Sequence, residues 1–267
     1  MKLKKVFCST VLTGSLLFNA AYAAPAVDSD RETVYQVALL QSLALGYFEG
    51  SVTVDELKNF GDTGIGTFEG LDGEMIVLDG VVYRADEKLR TEIVSDKTPV
   101  PFSNVTFFDK DFSLKLKNVP NKNELEQKLN EIVKANGANS FYMIKLHGEF
   151  NDIYIRSERG QKKPYPTLVQ ALEADQKELT PKNVKGTIVG LYCPQYMGEL
   201  NSVGWHFHFI TDDKKTGGHV LDLNLKSGEA QLDKTDTFKM NLPNEKKFNS
   251  LNFKTDLHED IRKAENG

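Results

Sequence analysis

The sequence predicts an α+β fold: a mixed, largely antiparallel β-sheet part with helices packed on it over 24–183, then a smaller β-rich part over 184–267. Three observations point there. One long helical pattern, Asn121 to Asn136, stands among short strand-like runs; Asp79-Gly80 sits between two apolar runs; and from Val184 onward the chain is almost all strand-like. The third observation also holds the most concentrated chemistry. Three of the five histidines fall in Trp205-His206-Phe207-His208-Phe209 and Gly217-Gly218-His219. Strand side chains alternate, so His206 and His208 share one face while Trp205, Phe207 and Phe209 share the other, toward a core.

Along the chain, Met1-Lys-Leu-Lys-Lys5 is a basic start, Val6 to Phe18 is apolar, and Ala21-Tyr22-Ala23-Ala24 has the small-x-small pattern of a cleaved signal segment. Cleavage is expected near Ala23, giving an exported protein, periplasmic or secreted. Cys8 leaves with that segment, so Cys193 remains alone and is read as a buried apolar side chain. Residues 24–30 read as a polar tail. Val34, Val37, Leu40 and Ala44 carry helical spacing, which predicts an amphipathic helix over 31–48. Thr53 and Glu56 form a capping box before a short helix through Phe60.

Five glycines between Gly61 and Gly73 mark tight turns or close backbone approaches. The segment lacks the Gly-Lys-Ser/Thr ending of a phosphate loop and the ligand spacing of an EF-hand. Met75–Leu78 and Val81–Tyr83 flank a hairpin turn at Asp79-Gly80. Asn121 caps the long helix, whose face is Leu125, Leu129, Ile132 and Val133, and Gly137 ends it. Strands are expected over 140–146 and 152–156, a helix from Thr167 to about Lys177 after Pro164-Tyr-Pro166, and strands over 186–192, 204–210, 219–225, 229–234 and 237–242. A short helix over 256–265 closes the chain.

With 33 basic and 38 acidic residues and no basic stripe interleaved with aromatics, nucleic acid is excluded as a partner and a small diffusible ligand is favoured. The polar run from Thr211 to Gly218 turns the chain back, so a hairpin can bring His219 beside His206 and His208. Three neutral imidazoles from neighbouring strands make an open divalent-metal site with positions left for water or substrate.

Several ordered segments then carry a resemblance: Gly61 to Gly80 with its Gly-Leu-Asp-Gly-Glu motif, Lys163-Pro-Tyr165, Val184 to Gly190, Gly204-Trp-His-Phe-His-Phe209, and Gly217-Gly-His-Val-Leu-Asp222. From about Tyr35 to the C-terminus the chain resembles the bacterial acetolactate decarboxylases. The resemblance implies Zn2+ on His206, His208 and His219, active-site carboxylates at Glu74 and Glu265, a substrate-orienting Arg156, Thr67 near the site, and a homodimer. Two registers stay open. The arginine before Gln161 is shifted by one, which leaves Arg159 beside Arg156, and the C-terminal carboxylate aligns at Glu265 or Glu259.

The implied reaction converts 2-acetolactate to acetoin and carbon dioxide. Loss of carbon dioxide from a β-keto acid leaves an electron pair delocalised as an enolate, which a metal on neutral ligands stabilises and which Glu74 or Glu265 then protonates. Two other readings compete: a cupin-like metal oxygenase and a periplasmic zinc carrier without turnover. His147 and His258 have no spacing partners and are read as structural or surface residues.

Overall fold

The computed structural model describes residues 31–266; the expected signal segment 1–23 and the tail after it lie outside the described residues. The chain opens with strand β1 (Thr33–Val37) and a five-residue helix α1 (Leu40–Ala44), not with one helix over 31–48. The reason is burial on both faces. Val34, Tyr35, Gln36 and Val37 are all buried, so the apolar positions of a two-faced strand imitate helical spacing. Ala38, with φ +55°, breaks the strand before the helix begins.

Next come β2 (Val52–Thr53) and α2 (Val54–Lys58), started by the expected capping box: Glu56 N donates to Thr53 Oγ1 at 3.3 Å and Thr53 N to Glu56 Oε2 at 2.7 Å. The glycine-rich segment forms β3 (Thr63–Thr67) and a turn into β4 (Glu74–Leu78). Asp79 and Gly80, at φ +51° and +79°, make the tight hairpin to β5 (Val81–Ala85). Strands β6 (Thr91–Ile93), β7 (Pro99–Val100), β8 (Phe102–Thr106) and β9 (Phe112–Val119) occupy a stretch to which the sequence pattern assigned no element. Helix α3 (Lys122–Asn136) begins where expected, with Glu124 N donating to Asn121 Oδ1 at 2.9 Å, and Gly137 ends it.

The two strands expected over 140–156 are one bulged strand, β10 (Phe141–Ser157). After α4 (Leu168–Asp175) follow β11 (Lys177–Leu179), β12 (Lys182–Cys193), β13 (Gly204–Thr211), β14 (Gly217–Thr235) and β15 (Thr237–Asn241). Helices α5 (Lys246–Asn249) and α6 (His258–Asn266) complete the described chain.

The fold is α+β and largely antiparallel. Seven strands form one sheet in the order β15-β1-β8-β3-β4-β5-β6, in which only β1 and β15 pair in parallel. Six form a second, β11-β10-β12-β13-β14-β9, in which β10 also pairs with β14, so β10, β12, β13 and β14 close on themselves. The layers do not follow a division at 183/184. That position falls inside β12, and β10 from the first part lies between β12 and β14 from the second. Antiparallel pairing among long strands, rather than order along the chain, sets the layers.

Strands of the second sheet are buried on both faces. Tyr142, Ile144 and Leu146 face a core with Trp205, Phe207 and Phe209, while Phe141 and Met143 face a core shared with Ile65 and Ile76 of the first sheet. A third apolar cluster, built by α1, α4 and α6 around Leu40, Leu43, Leu168, Leu172, Leu257 and Ile261, covers one end of the space between the sheets. Among the described residues, no helix is long and apolar enough to cross a membrane.

Candidate active site

The site forms where the two sheets face each other under that helical cover. Because Trp205, Phe207 and Phe209 fill the core on one side of β13, His206 and His208 must project from the other, toward the first sheet. The hairpin from β13 to β14 places His219 directly opposite His208, and β10 sets Arg156 opposite His219. From the first sheet, β3 and β4 set Thr67 opposite Glu74. Gly73, at φ +83°, permits the turn into Glu74, and a Cβ there would meet Ala85 O at 2.2 Å. Thr67 Oγ1 donates to Gly73 O at 2.8 Å and ties the turn to β3.

The hydrogen bonds assign the histidine tautomers. His208 Nδ1 lies 2.7 Å from Met75 O and His219 Nε2 lies 2.9 Å from Glu265 O. A carbonyl only accepts, so those nitrogens carry the protons. His206 Nδ1 lies 2.9 Å from Glu265 Oε2, an ion-pair contact. Lone pairs therefore sit on His208 Nε2 and His219 Nδ1, both facing His206 Nε2. His206 Nε2 is 3.1 Å from His208 Nε2 and 3.0 Å from His219 Nδ1. Nitrogens this close are set to share one cation, a proton or a metal ion, between them. Among the described residues this is the group that could hold a metal ion, and its tautomer-fixing outer contacts are those a bound divalent cation requires. Burial first, then neighbouring positive charge, lowers His208 and His219 well below the ordinary histidine range, which keeps them neutral.

Around the triad stand one guanidinium and three carboxyls, all buried. Arg156 Nη1 donates to Glu74 Oε1 at 2.8 Å and Glu158 Oε2 at 3.2 Å, and Nη2 donates to Ala264 O at 2.8 Å. Glu74 Oε2 lies 3.3 Å from His208 Nε2. Burial raises Glu74, with Arg156 and His206 opposing. It raises Glu158 further, helped by the Glu74 charge. Burial alone would raise Glu265 too, but His206, by charge and hydrogen bond, and then Arg156 bring it below the ordinary range.

The two alternatives of each open register lie apart in space. Arg156 is in the site, whereas Arg159 is exposed, 3.8 Å from Asp175. Glu265 reaches His206, whereas Glu259 is exposed and paired with Arg262. Thr67, Glu74, Arg156, His206, His208, His219 and Glu265 thus line one cavity, along with Glu158, which sequence reasoning missed. Its signal was position: two residues past Arg156, it returns to the same side of the chain. His147 and His258 lie at the surface beside Asp212 and Glu199, and Cys193 is buried, as expected.

The outer contacts of α6 give a testable consequence. Glu265→Gln removes the anion that orients His206 but leaves the backbone carbonyls to Arg156 and His219 in place. Metal affinity is expected to fall about 10- to 100-fold, measured by competition with a chromophoric chelator; unchanged affinity would show that the carboxylate does not orient His206.

Comparison with known proteins gives the chain a family. Residues 34–255 match the family model described as alpha-acetolactate decarboxylase, a stretch that ends before Glu265. The chain is 39% identical to the alpha-acetolactate decarboxylase of Methanosarcina mazei over 234 residues, covering 88% of this chain and 80% of that protein. It is 34% identical to that of Bacillus licheniformis, covering 90% and 94%. The crystal structure of alpha-acetolactate decarboxylase from Bacillus subtilis strain 168 superposes with a TM-score of 0.85 at 33% identity, over 88% of this chain and all of that one. The chain belongs to the alpha-acetolactate decarboxylase family.

Proposed function

We propose that this protein decarboxylates 2-acetolactate to acetoin and carbon dioxide, with zinc held by His206, His208 and His219. One observation carries the reading: three imidazole nitrogens converge beside the buried Arg156–Glu74 pair in a cavity whose walls include Leu40, Leu43, Phe102, Leu168 and Leu172. The names of the relatives supply the substrate, which offers a carboxylate, a ketone and a hydroxyl on neighbouring carbons. A three-histidine donor set suits zinc and leaves positions open. Bound there, zinc supplies Lewis-acid stabilisation of the charge that develops on oxygen as carbon dioxide leaves.

The chain's own residues do the rest. Arg156 has both Nη atoms engaged, while its buried Nε has no partner among the described residues. That N–H is left to orient the substrate carboxylate. Orientation suits the reaction better than a tight grip, because the carboxylate loses its charge on leaving. Thr67 spends its proton on Gly73 O, so its oxygen can accept from a substrate hydroxyl. The leucines and Phe102 exclude water. Cleavage of the carbon–carboxyl bond leaves its electron pair on the substrate as an enediolate, which takes up one proton at carbon. Glu74, beside His208 and across from Thr67, is placed to deliver it, while Glu265 is engaged in orienting His206. Export after cleavage near Ala23 and a homodimer belong to the same proposal. The basic-then-apolar opening of the chain supports the first, and the family resemblance supports the second.

Turnover in D2O tests the reading. Acetoin and carbon dioxide are expected in equal amounts, with one deuterium on the carbinol carbon of acetoin. Bound zinc without acetoin would leave the carrier reading, and oxygen uptake with iron bound would favour an oxygenase.

A further inference from the structure

Glu158 has no task in the reaction derived above, yet it is 1% exposed and touches the two residues on which that reaction leans. Arg156 Nη1 serves Glu158 Oε2 at 3.2 Å and Glu74 Oε1 at 2.8 Å from one nitrogen. Glu158 and Glu74 thus share one guanidinium nitrogen. The backbone brings them together independently. Just past Glu158, Gln161 N donates to Gly70 O at 2.7 Å, and Gly160 packs so closely that a Cβ would lie 2.8 Å from Asp72 Oδ1. The segment carrying Glu158 is thus clamped to the turn that delivers Glu74.

We propose that Glu158 is a positioning residue of this site: it accepts from the Arg156 nitrogen that also serves Glu74, and so fixes the angle at which carboxylate and guanidinium face the three histidines. The inference rests on the function proposed above and adds a residue to it. Arg156 is the one guanidinium against three buried carboxyls, Glu74, Glu158 and Glu265. Burial first, then the charge of Glu74, pushes Glu158 well above the ordinary carboxylate range, with Arg156 opposing and Asp72 adding to the rise. Glu158 serves as the acceptor that holds Arg156 Nη1 beside Glu74.

Glutamine keeps an acceptor oxygen at the same length, so it should replace Glu158, and leucine should not. Glu158→Gln is expected to keep kcat within about threefold of the parent protein, while Glu158→Leu loses on the order of a hundredfold in kcat with KM little changed. Zinc affinity, measured by competition with a chromophoric chelator, reads the same residue without turnover: Glu158→Gln should bind as the parent does, and Glu158→Leu about tenfold more weakly. If the parent makes no acetoin, the decarboxylase reading fails, and zinc affinity alone decides whether Glu158 positions Arg156 and Glu74. If Glu158→Leu does not fold, the activity and zinc affinity of Glu158→Gln decide. A Gln variant that loses on the order of a hundredfold in kcat would overturn the proposal, as would a Leu variant with parental kinetics or parental zinc affinity.

Discussion

Replacing His208 with alanine is expected to abolish acetoin formation while leaving the fold intact. His208 pairs directly opposite His219, and its Nε2 is 3.1 Å from His206 Nε2, so its loss leaves two imidazoles facing a gap. Two nitrogens do not hold a divalent cation as three do, and the Lewis acid goes with the third. Stabilisation of a developing oxyanion by a metal contributes several kcal/mol, so kcat/KM should fall by about three orders of magnitude or more. Metal content and acetoin release, measured on one preparation, should fall together. An active His208→Ala protein with full metal would place the metal elsewhere.

Arg156→Leu should cost both stability and activity. The guanidinium is 4% exposed and compensates Glu74 and Glu158 in a site shielded from water. Removing one partner of such a buried pair leaves uncompensated charge, at a cost of about 3–5 kcal/mol. It also detaches α6, because Arg156 Nη2 holds Ala264 O. Arg156→Lys separates the two effects. It restores the charge and much of the stability, but one ammonium cannot span Glu74, Glu158 and Ala264 at once. Its kcat is expected to stay on the order of a hundredfold below the parent value. Urea unfolding and steady-state kinetics on both variants check this, and a fully active Lys variant would show that guanidinium geometry has no part in orienting the substrate.

The three-histidine cluster was legible in the sequence because its geometry is local. Strand alternation sets His206 and His208 on one face, and a single hairpin brings His219 across from them. The rest of the site is not local. Thr67 and Glu74 come from the first sheet, Arg156 from β10 and Glu265 from the last helix, so only resemblance joined them to the histidines. Glu158 escaped because Ser157-Glu158-Arg159-Gly160 reads as a polar turn, and nothing in it shows that the second residue is buried against an arginine. The helix expected over 31–48 failed for a related reason. A strand covered on both faces shows no two-residue alternation, and Tyr35 and Gln36, which a helix would expose, are buried between neighbouring layers. Where burial was one-sided, as along α3 with Leu125, Leu129 and Val133 inward, the periodicity read correctly. The division at 183/184 did not match the sheets because β10 pairs with strands far along the chain, a matter of register that composition does not encode.

The most direct test of the account is acetoin release from racemic 2-acetolactate by the purified protein, measured as isolated, after chelation, and after zinc is returned. The account predicts turnover that disappears on chelation and returns with zinc in proportion to sites filled, up to one per chain. Turnover that survives complete removal of metal, or zinc bound at one per chain with no acetoin formed, would contradict it.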